Sequence, residues 1–293
     1  MDRIIYFLVA PLLIFISRLP FWFLYLFSNL LYPLIYYVFR YRRKVVRKNI
    51  ILSGLSKNKK QLLKIERNFY RYLCDLFLEM IKVRGMSKKE MMSRFKITNP
   101  EILENYAKQG KSVFVMAGHY ANFEWLLSLG HHVSLKPYGI YAPLENKFFD
   151  NYIKKVRSLH GSFLISRKRF SVEFTAMQRA KELSVIGFAA DQSPRKNKRN
   201  HHLTFFDNEV PVFTGAERLG KEFKVPILMA KIKRVKRGYY ETTIDLLADD
   251  PTTVPDYQIT ETYYKALENQ IKENPTYYFW THNRFKLMRQ KQQ

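Results

Sequence analysis

The sequence predicts an α/β fold, with a mostly parallel sheet flanked by helices and an N-terminal membrane helix in front of it. Two observations predict the sheet and a third the membrane helix. Between residues 111 and 273, short apolar or β-rich runs alternate with helical stretches, the pattern of strands joined by crossover helices. Several of those runs are continuously apolar rather than alternating, as strands buried on both faces are. Residues 4–39 carry a single charge, Arg18.

The N-terminal stretch divides into IIYFLVAPLLIFIS (4–17) and FWFLYLFSNLLYPLIYYVF (21–39), with Pro20 as a natural break. As one helix it would rise ~54 Å, well beyond a ~30 Å hydrocarbon core, whereas the first run alone would reach only ~21 Å. One membrane-inserted helix and one interfacial helix are therefore expected. A cleaved signal peptide is excluded by the lack of a small-residue cleavage site and by the basic run that follows. A buried apolar helix of a soluble protein is the plain alternative. The run RYRRKVVRKN (40–49) has six basic residues and no acid, which suits the cytoplasmic flank of a membrane segment and contact with anionic head groups. The expected organisation is a membrane segment, 1–40, and a cytoplasmic domain, 41–293.

Beyond it, QLLKIERNFYRYLCDLFLEMIKV (61–83) sets Leu62, Ile65, Phe69, Leu73, Leu76 and Met80 at helical spacing, an amphipathic helix. KSVFVMAG (111–118) reads as a buried strand, and ANFEWLLSLG (121–130) as a helix stopped by Gly130. Further strands are expected at 134–142, 184–191, 225–234 and 239–247, and helices near 145–159, 170–183, 214–224 and 257–273. No repeat or long linker interrupts them.

Composition narrows the function classes. The 293 residues include 50 Lys and Arg against 25 Asp and Glu, a net charge of +25, with 47 % apolar and 16 % aromatic residues. Wholesale disorder is excluded. Cys74 is the sole cysteine, so neither a disulfide framework nor a zinc site on paired cysteines is available. The positive charge suits nucleic acid, an anionic membrane or an acidic protein. No helix-turn-helix, zinc or RNA-binding motif accompanies it, which disfavours a membrane-tethered nucleic-acid-binding protein. A metal-dependent hydrolase using His119, His131, His132 and Glu124 is disfavoured too, because adjacent His131 and His132 point apart and no H-E-x-x-H pattern exists.

His119 and Glu124 form an H-x-x-x-x-E spacing. Seven His and 25 acids give about 0.6 such matches by chance, and His202 with Asp207 supplies a second. Context separates the two. His119 follows an apolar strand and Gly118 and precedes a helix, so it falls at a strand's carboxyl end, where ligands bind in open α/β sheets. Across such a turn Glu124 would accept the Nδ1 proton, leaving Nε2 free to take a proton from a hydroxyl that attacks a thioester or ester. The alternative is a helix-capping His beside a surface Glu.

The segment GHYANFEW (118–125) resembles the H-x-x-x-x-D/E motif of the lysophospholipid acyltransferase superfamily. More closely, the chain is similar to the lipid A biosynthesis (late) acyltransferases of Gram-negative bacteria, of the lauroyl/myristoyl type. The apolar N-terminus with RRKVVRKNI (42–50), then ISRKRF (165–170), DQSPR (191–195), FFDNEVPVFTG (205–215) and PTYYFWTHNRFK (275–286) fall in that family's order. Asp207 stands where the family often has a small residue, and Tyr120, next to the His, has no evident role.

The resemblance implies a glycerolipid-acyltransferase-like fold and acyl transfer from acyl–acyl carrier protein to a hydroxyl of a lipid A precursor, during lipopolysaccharide synthesis at the cytoplasmic face of the inner membrane. It implies His119 as general base with Glu124 as its partner. It also matches Arg167 and Asp191 to substrate-binding positions. There Arg167 would hold a phosphate or the developing oxyanion and Asp191 would orient it, although Arg167 also reads as one charge of a solvated Arg167–Lys168–Arg169 face. No metal or cofactor is expected besides the carrier protein as co-substrate, and no nucleic acid as partner. The basic patches at 40–48, 167–169, 195–199 and 231–237 would meet the acidic carrier protein, the acceptor or the membrane. Acylation of another membrane glycolipid or aminolipid is the near alternative.

Overall fold

The computed structural model describes residues 2–197 and 200–289, the side chains of residues 2–5 excepted. Helix α1 (Asp2–Arg18) ends just before Pro20, which stands as the N-cap of α2 (Phe21–Pro33), so the break falls where proline removes a helical N–H. A π-helical turn (Leu34–Val38) extends α2. The segment Phe21–Val38 is 18 residues long with a mean hydropathy of 1.3, long and apolar enough to cross a membrane. One face of it, with Phe21, Leu24, Ser28, Tyr32 and Tyr36, is buried, while Trp22, Leu26, Leu30 and Leu34 are exposed.

The basic run is not an extended flank but builds α3 (Arg43–Leu52). Val46, Asn49 and Ile50 form its buried face, a periodicity masked in the sequence by the surrounding charges. Next comes α4 (Lys59–Lys82), capped by the Asn58 side chain, which accepts from the Gln61 N–H. It carries the apolar stripe expected of it and packs against α1, α2 and α3. Then follow α5 (Lys88–Arg94), β1 (Phe95–Ile97), α6 (Glu101–Lys108) and β2 (Val113–Ala117). The expected helix at 121–130 is a 3-10 segment, Phe123–His131, and Gly130 lies inside it rather than ending it. A Cβ on Gly130 would come within 2.9 Å of the Gly161 carbonyl oxygen, so glycine serves a close backbone approach there.

The remaining elements are β3 (Lys136–Tyr141), α7 (Lys147–Ser158), β4 (Phe163–Ser166), α8 (Phe170–Arg179), β5 (Ser184–Ala189), β6 (His202–Phe205), β7 (Asn208–Pro211), α9 (Gly215–Phe223), β8 (Ile227–Lys236), β9 (Tyr239–Ala248) and α10 (Gln258–Glu273). Seven strands form one sheet in the order β1-β9-β8-β2-β5-β3-β4, parallel throughout except between β8 and β9. The strands β6 and β7 make a separate hairpin. Its two turn residues, Phe206 and Asp207, both have positive φ (49° and 56°), as a two-residue hairpin twisted like its strands requires. His202 sits there, bonded to the Asn200 carbonyl and away from any strand of the main sheet, which removes the second His–acid match as a site.

Alternation along the central strands sends Val113, Val115, Val185 and Leu228 to one face with Leu103 and Tyr106 of α6 and Leu129 of the 3-10 segment. Phe114, Met116, Ile186 and Met229 go to the other, where Phe170 and Phe174 of α8 and Leu219 of α9 meet them. Both faces are covered, as a parallel sheet demands.

Candidate active site

Strand β2 delivers His119 two residues beyond its end, at the carboxyl edge of the sheet. The turn that follows is fixed at several points. Ala121 holds a positive φ of 48°, its N–H donates to the Tyr277 carbonyl, and its own carbonyl accepts from the Tyr72 hydroxyl of α4. Tyr120 is buried, with its hydroxyl on the Asn274 carbonyl and its backbone bridged to Tyr278, so this side chain ties the histidine turn to the C-terminal segment. The Phe279 N–H donates to the His119 carbonyl at 3.0 Å. Gly118 lets α10 close in, since a Cβ there would stand 2.6 Å from Leu267 Cδ1.

The His119 ring contacts a carboxylate through Nδ1, but that carboxylate is Asp191, not Glu124. Nδ1 to Asp191 Oδ1 is 2.5 Å, and the His119 backbone N–H donates to Asp191 Oδ2 at 3.1 Å. Parallel pairing of β2 with β5 is the reason, since it brings the ends of the two strands side by side. The expected Nδ1 bond to Glu124 is thereby corrected. Glu124 instead receives the Arg157 guanidinium of α7, with Nη2 at 2.9 Å from each of its oxygens. Asp191 is 2 % exposed and spends both oxygens on His119, so it does not orient Arg167. Arg167 lies one residue past β4 with an exposed side chain, held only through its backbone N–H on the Tyr141 carbonyl among the bonds described. Of the four residues expected at the site, the structure thus brings His119 and Asp191 into contact, sets Glu124 nearby on Arg157, and leaves Arg167 on the surface.

Electrostatics follow from this pairing. Burial pushes the His119 pKa down, but the Asp191 charge and hydrogen bond, with a smaller push from the Glu124 charge, outweigh it and leave the value raised. Burial acts upward on Asp191, and the His119 charge and hydrogen bonds more than offset it, so its pKa is lowered. With Nδ1 engaged, the Gln192 side-chain amide rests 3.2 Å from Nε2.

The loop bearing Asp191 and Gln192 is clamped from the C-terminal segment. The Ser193 N–H donates to His282 Nε2 at 3.0 Å, and the Ser193 hydroxyl donates to the Arg284 carbonyl at 2.6 Å. Burial, with the neighbouring Arg284, Lys286 and His119 charges, pushes His282 down to about 4 against the pull of Asp191, so it is neutral and able to accept that bond. Arg284 is buried, with its guanidinium on Ser193 Oγ, the Pro211 carbonyl and the Tyr264 hydroxyl. The Asn49 amide of α3 donates to the Trp280 and His282 carbonyls at 2.8 and 2.6 Å. Arg157, Gln192, Asn49, His282 and Arg284 were not singled out from the sequence. All but Arg157 lie inside the quoted blocks 42–50, 191–195 and 275–286, which was the available signal; Arg157 sits in a charged helix with none.

His119, Glu124 and Arg157 stand at the wall of a cavity of about 380 Å³. Its other walls are mostly apolar, formed by Leu126, Leu127 and Leu129 of the 3-10 segment, Ile153 of α7 and side chains of β2, β3, β4 and β5, with Asp150 and Ser162 as polar exceptions. Elsewhere His131 Nε2 lies 3.3 Å from His160 Nδ1, and among the described residues no three potential ligands converge as the metal-hydrolase alternative needs. Of the basic patch 195–199, Lys198 and Arg199 lie outside the described residues.

An imidazole oriented by a buried carboxylate stands at the carboxyl edge of a parallel sheet, beside a largely apolar cavity, where α/β enzymes bind their ligands. A sequence profile for the bacterial lipid A biosynthesis acyltransferases matches residues 1–287, and the chain belongs to that family. Comparison with curated proteins gave no match. Among solved structures, a 1-acyl-sn-glycerophosphate acyltransferase from Thermotoga maritima superposes with a TM-score of 0.37 at 13 % identity, over 86 % of this chain and 95 % of that one.

Proposed function

We propose that the protein moves a fatty acyl chain from acyl–acyl carrier protein to a hydroxyl of a lipid A precursor, as a late acylation step at the cytoplasmic face of the inner membrane. The observation that carries the chemistry is the His119 ring, fixed through Nδ1 by Asp191 on a residue that lines the cavity, with Nε2 held only by the Gln192 amide among the bonds described. The acyl chain lies in the cavity, with its thioester carbonyl beside Nε2. Gln192 yields that nitrogen to the acceptor hydroxyl. The hydroxyl oxygen attacks the thioester carbon as its proton passes to Nε2. The tetrahedral intermediate then collapses, the C–S bond breaks, and the departing thiolate recovers the proton from His119. The products are an ester and a free thiol.

Arg157 supplies a cation, and Glu124 fixes its direction. A guanidinium beside the cavity supports stabilisation of the oxyanion or recognition of an acceptor phosphate. The net charge of +25 favours an acidic carrier protein and a phosphorylated acceptor. The exposed apolar face of α1 and α2 supports residence at a membrane surface.

The test is to incubate membranes containing the protein, or His119→Ala at equal abundance, with acyl–acyl carrier protein and a tetra-acylated lipid A precursor, and to weigh the lipid by mass spectrometry. A single added acyl chain, reduced by about 10²–10⁴ in the variant, is expected. Full activity in His119→Ala refutes the mechanism. No transfer beside an active family member refutes the acceptor, and an untargeted screen of acylated membrane lipids then addresses the glycolipid or aminolipid alternative.

A further inference from the structure

We propose that Gly139 and Gly187 together set the length of the acyl chain the enzyme accepts. This rests on the reading of the cavity as the acyl site. The two glycines are register partners on adjacent parallel strands, β3 and β5. Their row continues to Val115 of β2 on one side and Leu164 of β4 on the other, and all four residues line the cavity. A gap two strands wide is therefore cut in the sheet face, with a branched side chain closing each end.

Neither glycine is there for its backbone. Both have ordinary φ values, and neither meets a crowded neighbour. A Cβ on Gly187 would find only the Tyr138 carbonyl oxygen at 3.6 Å, and one on Gly139 would find Leu164 Cδ2 at 3.4 Å, both ordinary contacts. Glycine inside a strand costs stability and forfeits packing, and its usual reason is the close approach of a ligand or another backbone. No backbone comes closer than ordinary contact here, the nearest oxygens being those of Tyr138 and Phe163 at 3.6 and 4.0 Å; both glycines line the cavity.

Position along the strands gives the gap its meaning. The rung nearest His119 pairs Ala117 with Ala189, the glycine rung follows two residues down, and the next pairs Val185 with Pro137. Successive same-face rungs lie ~6.6 Å apart. A chain entering at Nε2 thus passes over alanines, then glycines, and stops against Val185 and Pro137. The floor is lowest where the distal methylenes would lie.

Gly187→Ala and Gly139→Ala test this, with Gly187→Val as the stronger block. Purified wild type and variants are compared in two ways. Displacement of a fluorescent fatty acid by saturated acids from octanoic to palmitic reads the cavity without donor or acceptor. Transfer from the corresponding acyl–acyl carrier proteins to the lipid A precursor reads the enzyme. Each alanine is expected to move the optimum to a shorter chain, changing the short-to-long preference by at least about 10-fold, the low end for one methylene in an apolar pocket. The melting temperature should hold or rise, since alanine is the better strand residue, and this separates a filled cavity from a damaged fold. An unchanged length profile in both alanine variants and in Gly187→Val overturns the proposal. Absence of transfer by wild type with length-selective binding intact overturns the lipid A precursor as acceptor instead, and leaves the length-setting role of the glycines standing.

Discussion

Replacing Asp191 with Asn separates the two carboxylates near His119. The His119 backbone N–H donates to Oδ2, so in the variant the amide oxygen must occupy that position and the amide NH₂ must face Nδ1. Nδ1 then becomes an acceptor, and a neutral imidazole carries its proton on Nε2, the nitrogen that must be vacant. The same tautomer inversion in a Ser-His-Asp triad lowers kcat by about 10⁴, and a loss of that order is expected. Charge acts in addition. The Asp191 charge and hydrogen bond favour the protonated ring and outweigh the burial that opposes it, so the pKa of the base is raised. The base works only when neutral, so wild-type kcat/KM should rise with pH through a value above the ordinary histidine 6.5. In Asp191→Asn the push from Asp191 disappears, burial acts downward, and the acid limb of the residual activity should move to lower pH. Glu124→Gln removes only the smaller charge effect and keeps the Nδ1 bond, so its limb should move less. Acyl transfer measured from pH 5 to 9 at fixed protein level decides the matter. Wild-type rates in Asp191→Asn, with a shifted limb in Glu124→Gln, would refute the assignment of Asp191 as the orienting group.

Two further outcomes are expected. Arg157→Ala leaves Glu124, 17 % exposed at the cavity wall, without its cation; transfer should fall by about 10–10² with little change in melting temperature, and Arg157→Lys should restore only part of it because an ammonium cannot reproduce the guanidinium fork. Asn49→Ala removes both bonds to the Trp280 and His282 carbonyls, which should cost about 1–3 kcal/mol, read as a lower melting temperature. Because His282 holds the Ser193 N–H, activity should also decline below the melting transition as the Asp191 loop loosens.

The sheet was legible because its central strands are continuously apolar and its helices periodic. The expected runs at 111–118 and 184–191 contain strands of the main sheet, and those at 225–234 and 239–247 overlap β8 and β9, which run one or two residues further. Shorter pieces were not, since β1 and β4 have three and four residues and carry no period of their own. The histidine was legible from its place after a strand. Its partner was not, because five residues of sequence separate His119 from Glu124 while 72 separate it from Asp191, and only sheet pairing makes the longer distance the shorter one in space. Asp191 came from the family resemblance, but assigned to Arg167. Tyr120 had no reading until the C-terminal segment was in place to receive its hydroxyl.

The segment Phe21–Val38 is long and apolar enough to cross a bilayer, yet its inner face argues for a different disposition. Tyr25 donates to Glu79 at 2.9 Å, Ser28 to Asp75 at 2.7 Å and Tyr36 to Glu66 at 2.9 Å, and all three carboxylates are buried on α4. Swinging the helix away to stand across a membrane would strip each carboxylate of a hydroxyl partner and uncover the buried face of α4. Lying along α4 keeps these bonds and presents Trp22, Leu26, Leu30 and Leu34 outward, which supports an in-plane, monotopic attachment. That arrangement also connects the membrane surface to the site. Glu79 accepts from Asn122, three residues from His119, as well as from Tyr25. At the other end Tyr6 of α1 packs on Phe148, Phe149 and Tyr152 of α7, the helix whose Ile153 and Arg157 wall the cavity. A lipid acceptor reaching the site along this apolar face would meet Arg157 and Nε2 without leaving the surface that the two helices define.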